Sequence, residues 1–166
     1  MQDALVNLRA GSDLEAVYRE HGDRLWRALV AFSGDREIAS DAVAEAFAQA
    51  LRRGDALRSP GAWVWRAAYR IAAGELKERG RSAGSATRDG VSSEAPFDEA
   101  SARAATLLAA LRHLSPMQRA AVILHHYAGH PVKEVAAIVG STGPAVRVHL
   151  SRGRRRLREL LEDHDD

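Results

Sequence analysis

HPVKEVAAIVGSTGPAVRVHLSRGRRRLR, residues 130–158, decides how the rest of this chain is read. Val132, Val135, Ala136 and Val139 recur at helical spacing, and Gly140 supplies a stop. Thr142 is placed to cap a second helix, in which Val146, Leu150, Gly153 and Leu157 share one stripe that Leu160 or Leu161 continues. Two short helices joined by a tight turn are the layout of a helix-turn-helix. At about 100° per residue, the face opposite the stripe carries Pro144, Val148, Ser151, Arg152 and Arg155. Arg147, Arg154 and Arg158 lie along one flank, and His149 and Arg156 along the other. A helix in a DNA major groove meets base edges with its outer face and phosphates with its flanks. The expected duplex contacts are therefore Arg147, Val148, His149, Ser151, Arg152 and Arg155. An arginine run alone reads equally well as a solvated basic helix; the preceding helix and the glycine turn favour nucleic acid.

The bulk of the chain agrees with a helical frame. Its 166 residues suffice for one ordinary domain or two small ones. A hydrophobic share of 46% with only 5% aromatic residues points to alanine, valine and leucine packing, as in helical bundles. The net charge of +2 conceals segregation by sign: residues 13–45 hold eight acids against four arginines, and residues 52–81 hold eight basic residues against three acids. One surface should suit a basic partner and another a polyanion.

Ser12 and Glu15 have the spacing of a capping box and predict a helix that opens there. Its packed face would carry Leu14, Val17, Tyr18, His21, Leu25, Ala28, Leu29 and Phe32. Asp35 is placed to cap a second helix over residues 36–53, buried through Ile38, Ala39, Ala42, Val43, Ala46, Phe47 and Leu51. Glu37, Asp41 and Glu45 stand four apart on another side, a row that by itself also reads as a solvated face. After a loop over 54–58, Ser59 and Pro60 start a third helix reaching about residue 79. Trp63, Val64, Ala67, Ala68 and Ile71 form its apolar side, while Arg66, Arg70 and Lys77 share the opposite one, bordered by Tyr69 and Trp63. Aromatic rings beside cations suit single-stranded DNA, whose unstacked bases need a π-face and whose backbone needs positive charge. Taken singly, Trp63 and Trp65 read first as core residues, and the basic face is the stronger signal.

Residues 81–100 are rich in serine, glycine and alanine and nearly devoid of large apolar side chains, so they read as a flexible linker. The expected organisation is a helical domain over 12–80, the linker over 81–100 and a second helical domain over 101–162. That second domain opens with an amphipathic helix (Ala105, Leu108, Leu111), followed by a helix that Ser115 caps and Pro116 starts, bearing Ala120, Ile123, Leu124 and Tyr127. The acidic tail from residue 159 is expected to fray.

Several classes drop out. There is no cysteine, hence no disulfide framework and no thiolate metal site. No apolar run approaches the roughly 20 residues that span a bilayer, and the first residues lack the basic-then-apolar order of a signal peptide; no membrane insertion and a cytoplasmic location are expected. His125, His126 and His130 are the only cluster reminiscent of metal, and no carboxylate sits at the usual ligand spacing, so no metal and no cofactor are expected. Asp41 and Glu45 have no partner base nearby, and there is neither a phosphate loop nor a nucleophile elbow, so no enzymatic activity is expected.

These segments together resemble the extracytoplasmic-function group of bacterial RNA polymerase sigma factors, which keep sigma regions two and four joined by a variable linker. The resemblance rests on YREHGDRLWRAL, GDREIASDAVAEAFAQAL and SPGAWVWRAAYRIA in the first half, and on residues 111–161 in the second. The helix-turn-helix is only moderately specific. The Asp-x-x-x-Glu-x-Phe helix (Asp41, Glu45, Phe47), the Ala-Trp helix and the Leu-Ser-Pro-x-Gln-Arg start, in this order, are far more so. The resemblance implies that Asp41 and Glu45 contact the clamp of the polymerase largest subunit. It implies that the segment from 52 to 77, with Arg58, Trp63, Arg66, Tyr69, Arg70 and Lys77, recognises and opens the minus-ten promoter element. It further implies that the helix-turn-helix reads the minus-thirty-five element and touches the polymerase flap, and that an anti-sigma factor is a partner. Arg70 and Gly74 stand where many relatives have Asn and Asp, and Val148 and His149 where Ser and Arg are common, so base preferences do not transfer. An ordinary helix-turn-helix regulator would leave the Asp41 row and the Trp63 helix unexplained. A second alternative is an adaptor that binds polymerase or a regulator without reading DNA; transcription reconstituted with core polymerase and a matching promoter separates all three.

Overall fold

Capping and helix propensity account for most segment boundaries before packing enters. The structure, a computed structural model, describes residues 2–82 and 99–165, with side chains for 13–82 and 101–163. The described chain is all α-helical: α1 (Gln2–Ser33), α2 (Arg36–Arg53), α3 (Pro60–Ser82), α4 (Glu99–Leu111), α5 (Pro116–Val122), α6 (Val132–Val139) and α7 (Gly143–Asp165). A short 3-10 turn, Gly54–Ala56, follows α2, and α5 widens into a π-helical turn, Ile123–Tyr127. Most of the expected linker, residues 83–98, lies outside the described residues; its two ends are helical, as the last turn of α3 and the first of α4.

Two boundaries differ from expectation. Helix α1 begins at Gln2, so Ser12 lies inside it and does not open it. The preceding Gln, Ala, Leu and Arg residues are good helix formers, and they carry the helix back past the Ser12–Glu15 pair. Helix α7 continues to Asp165, through the acidic tail. The other start signals act as read. Asp35 Oδ1 accepts from the backbone of Glu37 and Ile38 at 2.8 and 3.1 Å. The other oxygen of Asp35 accepts from Arg79 at 2.7 Å, so the cap of α2 also pins the end of α3. Ser115 and Gln118 complete a reciprocal capping box at the head of α5.

The N-terminal three helices enclose Leu25, Ala28, Leu29 and Phe32 of α1, Ile38, Ala42 and Ala46 of α2, and Val64, Trp65, Ala68 and Ala72 of α3. Alanines along α2 and α3 let the helices approach closely around these larger side chains, so a deletion such as Leu25→Ala leaves a cavity costing about 2–5 kcal/mol. Leu51, expected in this core, is instead 59% exposed. Ala50 replaces it, because it continues the Val43–Ala46 row while Leu51 turns a further 100° toward solvent. Tyr18 is also exposed, its ring resting edge-on against Phe47 with centroids 5.1 Å apart.

In the C-terminal half the α7 stripe of Val146, Leu150, Gly153 and Leu157 is buried as its periodicity requires. Gly153 has a steric reason: a Cβ there would stand 2.9 Å from Val122 Cγ2 of α5. Gly140, at φ 70° and ψ 42°, ends α6 in the left-handed region that glycine adopts without penalty. The two halves touch. The His130 ring meets Trp65 edge-on with centroids 4.4 Å apart. Arg119 Nη1 donates to the Phe32 carbonyl at 2.8 Å while its guanidinium lies over the Phe32 ring. Phe32 sits in the last turn of α1, where unpaired carbonyls favour a cation.

Candidate nucleic-acid and polymerase interfaces

The turn between α6 and α7 fixes which face of α7 points outward. Val135, Ala136 and Ile138 of α6 and Val146 and Leu150 of α7 are buried together, and Thr142 Oγ1 accepts from the Ala145 backbone at 3.3 Å. Arg147, Val148, Ser151, Arg152 and Arg155 are left exposed, along with Arg154, Arg156 and Arg158. His149 departs from the set: it is half-buried, and its Nδ1 is shut from solvent without a hydrogen-bond partner. Among the described residues no carboxylate pairs with Arg147, Arg152 or Arg155, and the one ion pair on this helix joins Arg156 to Glu159 at 3.4 Å. Unpaired cations in a row leave a positive surface for an anion. In the π-helical turn of α5, burial, then the charge of His125, then that of Arg154 lower the pKa of His126.

On α3, Arg66, Arg70 and Lys77 share an exposed face, and Arg58 is exposed on the loop before it. None of the four pairs with a carboxylate among the described residues. The aromatic part of this expected site needs correction. Tyr69 is 9% exposed, with its ring 5.2 Å from that of Phe32. Burial raises its phenol pKa, and the nearby charge of Arg119 partly opposes the rise. Its ring is committed to packing against Phe32 inside the N-terminal half, so it cannot stack on a base in this form. Trp65 is 1% exposed and belongs to the core, with His130 on its ring and its indole N–H directed at His21 Nδ1, 3.4 Å away. Trp63 is half-buried, and the Arg53 guanidinium lies over it 5.1 Å from the ring centre. Arg53 and Arg119 are aromatic partners that spacing along a single helix does not reveal, and Arg119 carries a sequence signal only as the last residue of the Leu-Ser-Pro-x-Gln-Arg motif.

Glu37, Asp41 and Glu45 are all exposed along α2. Glu45 accepts from Gln49 at 2.9 Å and from Arg52 at 3.1 Å, which together hold its carboxyl below the usual range. Asp41 forms no ion pair among the described residues, which leaves it the freer carboxylate of the two. The histidine cluster is engaged otherwise: His125 Nδ1 lies 2.8 Å from the His130 carbonyl, and His130 Nδ1 lies 3.0 Å from Glu134.

A helix-turn-helix with an unpaired arginine face, packed against a three-helix unit with its own basic and acidic helix faces, defines a DNA-reading protein with a second interaction module. Comparisons narrow the class. Residues 104–157 match the family profile described as sigma-70, region 4. The chain is 31% identical to the ECF RNA polymerase sigma factor SigE of Mycolicibacterium smegmatis over 98% of its own length, and spans 66% of that relative. It is 30% identical to the ECF RNA polymerase sigma factor SigL of Mycobacterium tuberculosis, over 90% of this chain and 89% of that one. Among solved structures, the sigma factor RpoE in complex with the anti-sigma factor NepR from Bartonella quintana superposes with a TM-score of 0.71 at 26% identity, covering 92% of this chain and 96% of that one. The structure of CnrH in complex with the cytosolic domain of CnrY shares the fold, at a TM-score of 0.66 and 22% identity over 98% and 99% of the two chains. The chain belongs to the extracytoplasmic-function sigma factors of RNA polymerase, as its motifs imply. No helix among the described residues is long and apolar enough to cross a membrane.

Proposed function

We propose that the protein binds core RNA polymerase and directs it to a restricted set of promoters, with no covalent chemistry of its own. The observation that carries this is the outward face of α7, where Arg147, Arg152 and Arg155 are exposed, with no carboxylate partner among the described residues, around Val148 and Ser151. In this reading residues 101–162 read the minus-thirty-five element as duplex. Residues 12–80 recognise and open the minus-ten element through Arg58, Trp63, Arg66, Arg70 and Lys77. The half-buried Trp63 presents one edge to a base only where the Arg53 guanidinium is displaced or shares the stack. Asp41 and Glu45 face the clamp of the polymerase largest subunit, with Asp41 the stronger contributor because Glu45 is already bound to Arg52. The polymerase flap meets the C-terminal half. The protein acts in the cytoplasm, where polymerase is, and an anti-sigma protein is a further partner, supported by the solved relative held in such a complex.

Transcription reconstituted from core polymerase, this protein and a promoter-sized DNA pool tests the reading. Specific initiation that depends on the protein is expected. Failure to bind core polymerase would overturn it, and binding without initiation would leave an adaptor. Sequence-specific duplex binding without any polymerase dependence would leave an ordinary regulator.

A further inference from the structure

Val148 stands apart from its surroundings. It is 46% exposed, the one large apolar side chain among the exposed residues of α7, and it lies between the cations Arg147 and Arg152. The apolar stripe of the same helix is satisfied without it: Val146, Leu150 and Leu157 are buried on the opposite side. Its neighbours on the outward rows are Ser151, Arg152 and Arg155, three, four and seven residues on. An apolar group gains nothing from phosphates. On the major-groove edge of B-DNA the apolar feature is the C5-methyl of thymine. A valine suits such a contact, since branching at Cβ fixes its rotamer and holds both methyls in place at the groove.

We propose that Val148 reads a thymine methyl in the upstream promoter element, about two base-pair steps from a guanine read by Arg152. The assignment rests on the reading of α7 as the duplex-recognition helix and adds the base chemistry to it. Four residues of helix advance about 6 Å, which is about two base-pair steps at 3.4 Å each. The element should therefore carry a thymine about two steps from a guanine, the latter bonded through O6 and N7 in the bidentate manner of arginine. Ser151, between them, serves either base.

The test uses the full chain assembled with core polymerase. A randomised duplex pool is enriched for binding, and each thymine of the winning sequence is then replaced singly by deoxyuridine, which keeps every hydrogen-bonding group and removes only the methyl. One replacement should weaken wild-type binding about four-fold, the size of one buried methyl group, while the same replacement changes binding of Val148→Ser by less than about 1.5-fold. Val148 is exposed, so the variant is expected to fold normally. Equal loss in wild type and V148S, or no methyl-sensitive position at all, would overturn the assignment to Val148 while leaving α7 a duplex reader. V148S weakening assembly with polymerase in the absence of DNA would place the valine at a protein contact and overturn it likewise. A pool that enriches no sequence would overturn the duplex reading of α7 itself, and this assignment with it.

Discussion

Arg119→Ala should loosen the tie between the two helical halves, and the size of the effect follows from what the guanidinium touches. Nη1 donates to the Phe32 carbonyl at 2.8 Å, Nη2 to the Leu114 carbonyl at 3.2 Å, and the group covers the Phe32 ring beside Tyr69. A hydrogen bond from a charged donor contributes about 1.5–3 kcal/mol. Two effects reduce the loss. Burial, and then the charge of Arg112, hold the pKa of Arg119 below its usual value, so deleting the cation relieves an unfavourable placement. The side chain is also only half-buried, and water replaces part of what is lost. A net destabilisation of about 1–2 kcal/mol is expected. All three tryptophans, Trp26, Trp63 and Trp65, lie in the N-terminal half, with Trp65 against His130 of the other, so their emission follows that half and its contact with the other, whereas far-UV circular dichroism follows every helix. With a urea dependence of about 1–1.5 kcal/mol per molar, the midpoint should fall by about 1 M. The two probes should coincide in the wild type and separate in the variant. Arg119→Lys keeps the charge without the planar fork and should recover less than half of the loss. Unchanged midpoints with coincident probes in Arg119→Ala would show that the contact between the halves contributes no stability, and the reasoning from its geometry would fail.

Four further outcomes follow from the same geometry. Reversing charge in Asp41→Lys/Glu45→Lys should weaken binding to core polymerase about ten-fold or more in an equilibrium titration, with Asp41→Lys alone accounting for most of it; unchanged affinity would return the row to a solvated helix face. Gly153→Ala drives a Cβ to 2.9 Å from Val122 Cγ2 and should cost about 1–3 kcal/mol in thermal unfolding, whereas Gly74→Ala, with nothing within 4 Å, should stabilise by about 0.5–1 kcal/mol. Because the His126 pKa is lowered below 6.5, the folded protein binds fewer protons there than the unfolded chain; stability is full above about pH 6.5 and declines as pH falls toward the folded value, and His126→Gln should flatten that slope in melting temperatures measured from pH 7 to 5. Arg152→Ala should relax discrimination at one base pair of the upstream element, whereas a loss that is uniform across sequences and lowers the salt slope by about one would recast Arg152 as a phosphate contact.

What the sequence disclosed and what it withheld differ in a definite way. The stripe of Val146, Leu150, Gly153 and Leu157, the Asp35 and Ser115 caps and the Gly140 stop depend on contacts within a few residues or on one helical period, and each sits as read. Leu51 lies outside the core because a stripe on α2 drifts by a fraction of a turn over four repeats, and only the packing of α1 and α3 shows that Ala50 holds the inner place. The aromatic residues of α3 posed a harder problem. A ring near a cation on one helix fits a stacked base and a folded-in cation–π contact equally well. Arg53 over Trp63 shows the second outcome, with the cation coming from the preceding helix, whereas Tyr69 packs on Phe32, whose ring takes Arg119 from the opposite half of the chain. Arg147, Arg152 and Arg155 of α7, and Arg66, Arg70 and Lys77 of α3, show the reverse: none has a carboxylate partner among the described residues. Whether a cation is already satisfied inside the fold is a tertiary property. It separates the side chains that hold this protein together from those left for the DNA contacts proposed above, and no pattern along a single helix contains it.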